Sequence, residues 1–247
     1  RSAVAEIVRK QADNGIDIVT DGEQGKPGFF AYVRERLTGF EPKSPPPGGW
    51  KQWAAEVAAF PEYYEQYFSR RMMGGSIAPR TPLMCTAPVN YLGQEAIRKD
   101  IDNLKAALGG LKVEEAFMPA VAPSGIGTNE YYGSDEEYLQ AVGDALRTEY
   151  QAIVDAGFIL QIDDPWLTEV HSQDPSLSLA ERRKIAERSV EALNHALRGI
   201  PAEKIRFHTC YGINEGPRVN DASLRDIVDL VLKVNAGAYS FEAANPR

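Results

Sequence analysis

Apolar residues along this chain switch repeatedly between two spacings. Ala3, Val4, Ile7 and Ala12 fall near helical period within residues 1–14, and Gly15 follows where helix C-termini commonly take a glycine. Ile16-Asp17-Ile18-Val19-Thr20 is then a short β-branched run closing on the polar turn Asp21-Gly22-Glu23, which predicts a strand with carboxylates at its exit. The same alternation recurs. Further buried-strand signatures lie at Leu83–Thr86, Ala116–Val121, Phe158–Asp163, Ile205–Cys210 and Ala238–Glu242, making six runs with the first. Helical periodicity occupies Gln94–Leu108, Asp135–Ala156, Leu179–Leu197 and Ala222–Val234 between them. Ser134 and Ser178 stand where a hydroxyl can accept an orphan N–H at the start of the second and third of these helices.

Near-continuous apolar strands separated by helices predict an α/β fold with a parallel sheet covered by helices. The 247 residues suit one (β/α)8 TIM barrel. An open doubly wound sheet is the alternative, although no G-x-G-x-x-G follows a strand. Six strands are fewer than eight, and the chain opens on a helix and stops just after a strand. The expectation is therefore a single barrel domain over residues 1–247, lacking a first strand and a last strand–helix unit. The rhythm breaks over residues 39–75, where Pro45-Pro46-Pro47-Gly48-Gly49 precedes Trp50, Trp53, Phe60, Tyr63, Tyr64, Tyr67 and Phe68. This segment reads as an inserted lid or helical hairpin over a barrel end. An aromatic cluster of this kind equally suits a contact between chains, which leaves a homo-oligomer open.

Composition narrows the function classes. With 43% hydrophobic and 25% charged residues the chain has an ordinary globular balance, not that of a disordered segment. A net charge of −8 without clustered Lys and Arg argues against a nucleic-acid partner. No apolar run approaches the roughly 20 residues that span a bilayer, and the N-terminal residues are polar, so no membrane association and a cytoplasmic location are expected. Cys85 and Cys210 alone are too few for a disulfide framework.

In a barrel of this type the chemistry collects at the C-terminal ends of the strands. Polar residues close the apolar runs repeatedly: Asp21 and Glu23, Thr86, Ser124, Asp163 and Asp164, His208 and Cys210, and Glu242. In His208-Thr209-Cys210 the first and third side chains of a strand share a face, so an imidazole and a thiolate can meet one ion. Zinc takes nitrogen and sulfur in a tetrahedral shell, and Glu242 on the next strand can add an oxygen. Cys85 has no second ligand-type residue beside it and reads as core. Asp163 can instead cap the following helix, and Glu23 can instead pair with Lys26 at the surface. His195 lies within a helix and reads as a surface or packing residue, whereas His171 follows the Asp163–Glu169 loop, within reach of a substrate.

Together, His208-Thr209-Cys210-Tyr211-Gly212, Ile159-Leu160-Gln161-Ile162-Asp163-Asp164-Pro165, Asp21-Gly22-Glu23 and Ser240-Phe241-Glu242 resemble the catalytic barrel of cobalamin-independent methionine synthase in order and spacing over nearly all of the chain. The resemblance implies zinc bound by His208, Cys210 and Glu242. It also implies a further cysteine ligand on a last strand, and this chain has no cysteine after Cys210. It gives Asp163 and Glu23 the catalytic task of holding the amino group of homocysteine, in keeping with the attraction of two carboxylates for an ammonium group. Glu169 matches a donor-contact position of the family; with Asp164 and Ser124 from the polar strand ends and Trp166 as a substitute stacking surface it completes the expected substrate-binding set.

Two departures stand out. The family has Asp-Glu-Pro where this chain has Asp163-Asp164-Pro165, and Ala87–Gln94 matches the family segment after the third strand with Gln94 in place of a folate-stacking tryptophan. The function implied is zinc-dependent transfer of a methyl or other alkyl group to a thiol such as homocysteine, with a small-molecule thiol and an alkyl donor as partners. Three alternatives stay open: a zinc-dependent epoxide:thiol transferase of the coenzyme M type, a metal-free lyase similar to uroporphyrinogen decarboxylase, and a non-catalytic scaffold.

Overall fold

The computed structural model describes residues 1–43, 54–69, 83–169, 177–211, 217 and 222–242. In chain order its elements are α1 (Ser2–Asp13), β1 (Ile18–Thr20), β2 (Phe40–Pro42), α2 (Ala54–Ala59), α3 (Pro61–Ser69), β3 (Leu83–Cys85), α4 (Gln94–Leu108), β4 (Glu115–Val121), β5 (Thr128–Asn129), α5 (Asp135–Asp155), β6 (Ile159–Asp163), α6 (Trp166–Glu169), α7 (Leu179–Ala196), β7 (Ile205–Thr209), α8 (Leu224–Val231) and β8 (Ala238–Phe241).

Local chemistry explains most of the boundaries. α1 ends because Gly15 takes a φ of +77°, which lets the Gly15 and Ile16 N–H groups return to the carbonyls of Ala12 and Gln11. Gln11 then clamps β1 to the helix: its side chain accepts from Thr20 N at 2.9 Å and donates to Thr20 O at 2.8 Å. Ser134 caps α5 by accepting from Glu137 N. Ser178 and Glu181 form a reciprocal capping box on α7.

Five strands form one parallel sheet in the order β1-β4-β6-β7-β8, curled into a half-barrel. Each of these strands follows a helix, and α1, α4, α5, α7 and α8 pack side by side in the same order. Period-2 alternation sorts the side chains. Val19, Met118, Leu160, Ile162 and Phe207 point outward and are fully buried in the main core. Thr20, Phe117, Gln161, Asp163, Arg206, His208 and Ser240 take the alternate positions and face the hollow of the sheet.

Two expectations need correcting. Leu83–Cys85 is a strand, but it is not part of the parallel sheet. It pairs antiparallel with β2 and parallel with β5 in a separate three-stranded sheet, and β1 pairs directly with β4. Its apolar run reports burial, which both sheets supply, and cannot report which sheet takes it. The second correction follows: the described residues form a five-stranded parallel half-barrel, where six parallel strands of an incomplete (β/α)8 barrel were expected.

Within residues 39–75 the structure describes β2, α2 and α3; Pro45–Gly49, Trp50 and Trp53 lie outside the described residues. Tyr64 and Tyr67 are buried, with Tyr63 stacked on Tyr67 at 6.0 Å, and Tyr64 OH donates to Pro217 O. No helix among the described residues is long and apolar enough to cross a membrane.

A buried polar network ties the segment after β1 to the sheet. Glu149 of α5, fully buried, accepts from Tyr32 OH at 2.8 Å, Tyr91 OH at 2.6 Å and Arg36 Nη1 at 2.9 Å. Arg36 also meets Asp100 of α4, and Tyr32 OH accepts from Val121 N at the end of β4. The network holds the segment after β1 against the C-terminal end of β4.

Candidate active site

Across β6, β7 and β8 the register pairs Asp163 with His208 and His208 with Ser240. His208 Nδ1 lies 3.2 Å from Ser240 O and 3.3 Å from Ser240 Oγ. A carbonyl there requires Nδ1 to carry the proton, which leaves Nε2 as the lone-pair nitrogen. Burial pushes the His208 pKa down, favouring the neutral ring. Cys210 lies one residue past the end of β7 and is partly buried.

Glu242 follows β8, and its charge reaches His208, but its Oε2 accepts from Tyr211 N at 3.3 Å. Among the described residues no group of three or more His, Cys, Asp and Glu side chains assembles as a metal site. The expected convergence of His208, Cys210 and Glu242 is thus not formed in this conformation: a backbone N–H engages the glutamate that was to complete the set.

On the other side of His208, Asp163 is 7% exposed and accepts from Gln161 Nε2 at 2.8 Å. Burial pushes its pKa up to about 6. Glu23 enters from the loop after β1, with a φ of +54° that follows Gly22 at +63°. Asp21 Oδ1 holds this turn by accepting from Glu23 N at 3.0 Å and Thr20 Oγ1 at 3.3 Å. Burial raises the Glu23 pKa, opposed by Lys26 and reinforced by the charges of Asp163 and Asp21. The structure therefore brings Glu23 and Asp163 into one electrostatic neighbourhood. The pairing of Glu23 with Lys26 also forms, at 3.7 Å, but not at the surface: the Lys26 side chain is 1% exposed.

The remaining expected residues divide. Asp164 is buried, with its Oδ1 accepting from Ser124 Oγ at 3.1 Å and Leu167 N at 3.2 Å. It, not Asp163, caps the helix that follows, and Ser124 is engaged in supporting it. Trp166 lies against Gly125 and near Phe29 and Phe30, with ring centroids 5.9 and 5.7 Å away. Glu169 ends α6 with its side chain outside the described set, as is His171. His195 faces Asp144 at 2.9 Å on the surface.

Thr86 follows β3 and is exposed, away from the parallel sheet. Gln94 opens α4 and donates to Tyr91 O. The segment Ala87–Gln94 thus follows a strand of the small sheet. In the parallel sheet it is β4 that stands beside β1.

Two charged residues of the site were not singled out from the sequence. Arg206 faces the hollow two positions before His208, with its guanidinium 4.7 Å from the Phe117 ring centroid. The alternation Arg206, His208, Cys210 against Ile205, Phe207, Thr209 carries that signal. Lys26 had a partner suggested by spacing, but nothing local announces its burial.

No family model matches the chain. It is similar to curated proteins named methionine synthase: that of Sulfolobus acidocaldarius is 24% identical over 85% of this chain and 50% of its own length. That of Thermococcus kodakarensis is 24% identical over 99% of this chain and 58% of its own. The chain thus spans a little over half the length of these curated relatives. Among solved structures, a putative vitamin-B12 independent methionine synthase from Listeria monocytogenes superposes with a TM-score of 0.57 at 23% identity, covering 85% of this chain and 54% of that one. A B12-independent methionine synthase from Shewanella sp. W3-18-1, in complex with selenomethionine, does so with a TM-score of 0.59 at 18% identity, covering 85% and 51%. These superpositions show that the α/β fold of this chain is shared with part of each of those structures.

Proposed function

We propose that this chain forms part of a methyltransferase site that moves a methyl group to the thiol of homocysteine, with zinc held by His208, Cys210 and Glu242. The observation that carries this reading is the register of β6 and β7, which sets Asp163 beside His208 and so puts a carboxylate for an ammonium group one strand from an imidazole–thiol pair. The similarity to proteins named methionine synthase supports the same chemistry.

The donor types suit zinc: a neutral imidazole with Nε2 left for a metal by Ser240, a thiol one residue past the end of the same strand, and a carboxylate on the neighbouring strand end. Glu242 accepts from Tyr211 N through Oε2, and its Oε1 is the oxygen left for a metal. Zinc bound there would hold the incoming thiol as thiolate, the reactive form. The chain's own residues act by positioning. Asp163, ionised above pH about 6, and Glu23 hold the amino group and thereby aim the sulfur. Asp164 fixes α6 and with it Trp166, whose ring forms one wall. The small-molecule partners are then a thiol amino acid and a methyl donor.

The test is zinc content together with methyl transfer to homocysteine in His208→Ala and Cys210→Ser. Loss of both metal and activity is expected in each. Unchanged metal and activity in both variants rejects the reading.

A further inference from the structure

We propose that Lys26 is a positioning residue for Glu23: its buried ammonium holds one carboxylate oxygen in place so that the other faces the amino group of a ligand bound between Glu23 and Asp163. The inference rests on reading that carboxylate pair as an amino-group subsite.

Lys26 closes the turn after β1, its N–H bonding Glu23 O at 3.0 Å. Its side chain is 1% exposed, and the Nζ atom has three neighbours: Pro119 O at 2.5 Å, the Tyr32 ring centroid at 4.2 Å and Glu23 Oε1 at 3.7 Å. The first two anchor the cation independently of Glu23. β1 pairs with β4 only as far as Phe117, so the carbonyl of Pro119 lies beyond the last residue that β1 reaches, and the lysine supplies its donor. Tyr32 is itself fixed by Glu149 and by Val121 N. The ammonium therefore stands on the strand end and the buried network, although it belongs to a loop residue.

Glu23 needs such an anchor. Its Oε1 is buried and accepts no hydrogen bond, so the cation 3.7 Å away is what stabilises charge on that oxygen. The side chain keeps 31% of its exposure, which leaves Oε2 as the oxygen open to a ligand. Lys26 does not cancel the subsite. Asp21, Glu23 and Asp163 are opposed by Lys26 and by Arg206, which acts on Asp163, so a negative excess remains for an ammonium group. Without Lys26, the Glu23 carboxylate would leave its buried position for water, and the amino group would keep Asp163 alone.

The experiment is calorimetric binding of L-methionine and of 4-(methylthio)butanoate, which differ only in the amino group, to the purified protein and to its Lys26→Met and Lys26→Arg variants. A charge-assisted contact predicts that the parent protein prefers methionine by about tenfold or more. Lys26→Met should lose most of that preference and keep only the part that Asp163 supplies, with butanoate affinity unchanged, and Lys26→Arg should recover part of what is lost. An undiminished or larger preference in Lys26→Met overturns the proposal. So does an equal loss of both ligands that arginine does not rescue, because that marks a role in folding alone. If the parent protein shows no preference, the amino-group subsite itself fails and the role of Lys26 with it; an undiminished preference in Lys26→Met removes only the latter.

Discussion

Asp163→Asn should make the protein more stable at neutral pH while removing a ligand contact. The Asp163 carboxyl is 7% exposed and burial holds it at about 6, against an ordinary 3.8. A difference of that size corresponds to about 3 kcal/mol favouring the neutral form in the folded state. Because the folded-state pKa lies above the unfolded one, the stabilising preference for the neutral acid is complete below pH about 4. It is lost as the pH rises through about 6. Asparagine stays neutral throughout, and its Oδ1 can still accept from Gln161 Nε2. Urea unfolding of both proteins from pH 4 to pH 8 should show no difference at the acid end and a gain for the variant, up to about 3 kcal/mol, at pH 7 and above. Methionine binding should weaken in the same variant. A variant less stable at pH 7, or a difference that does not vary with pH, refutes the account of Asp163 as a buried, strained carboxylate kept for its charge.

Arg36→Met leaves Asp100 and Glu149 buried without their shared cation, and urea unfolding should show a loss of about 3–5 kcal/mol; a loss under about 1 kcal/mol would show that the network does not hold the segment to the sheet. Gly125→Ala places a Cβ 2.0 Å from the Trp166 ring, so Trp166 must move, with a shifted tryptophan emission and a loss of about 1–3 kcal/mol. Unchanged emission and stability would contradict that packing.

The sequence by itself determined what depends on neighbours a few residues away. α4 runs over Gln94–Leu108 as its periodicity predicts, Ser134 and Ser178 cap their helices, and Gly15 ends α1, because each rests on hydrogen bonds within one turn. Period-2 alternation likewise set Arg206 and His208 on one face of β7, with Cys210 one residue past the end of the strand. What crosses the chain was decided only by tertiary structure. A three-residue apolar strand such as Leu83–Cys85 satisfies its backbone in whichever sheet offers an edge, and that choice belongs to β2 and β5. Asp163 and Asp164 are adjacent and chemically alike. One became the candidate ligand and the other the helix cap because the strand turns them to opposite sides, one toward Gln161 and the other toward Ser124 and Leu167 N. Lys26 gives no local sign of burial; a carbonyl 93 residues away and the ring of Tyr32 impose it. Glu242 turns to a backbone N–H that its own strand does not supply. Spacing along a chain sets which face a side chain takes, whereas the partner it meets there is set by contacts whose sequence separation no periodicity encodes.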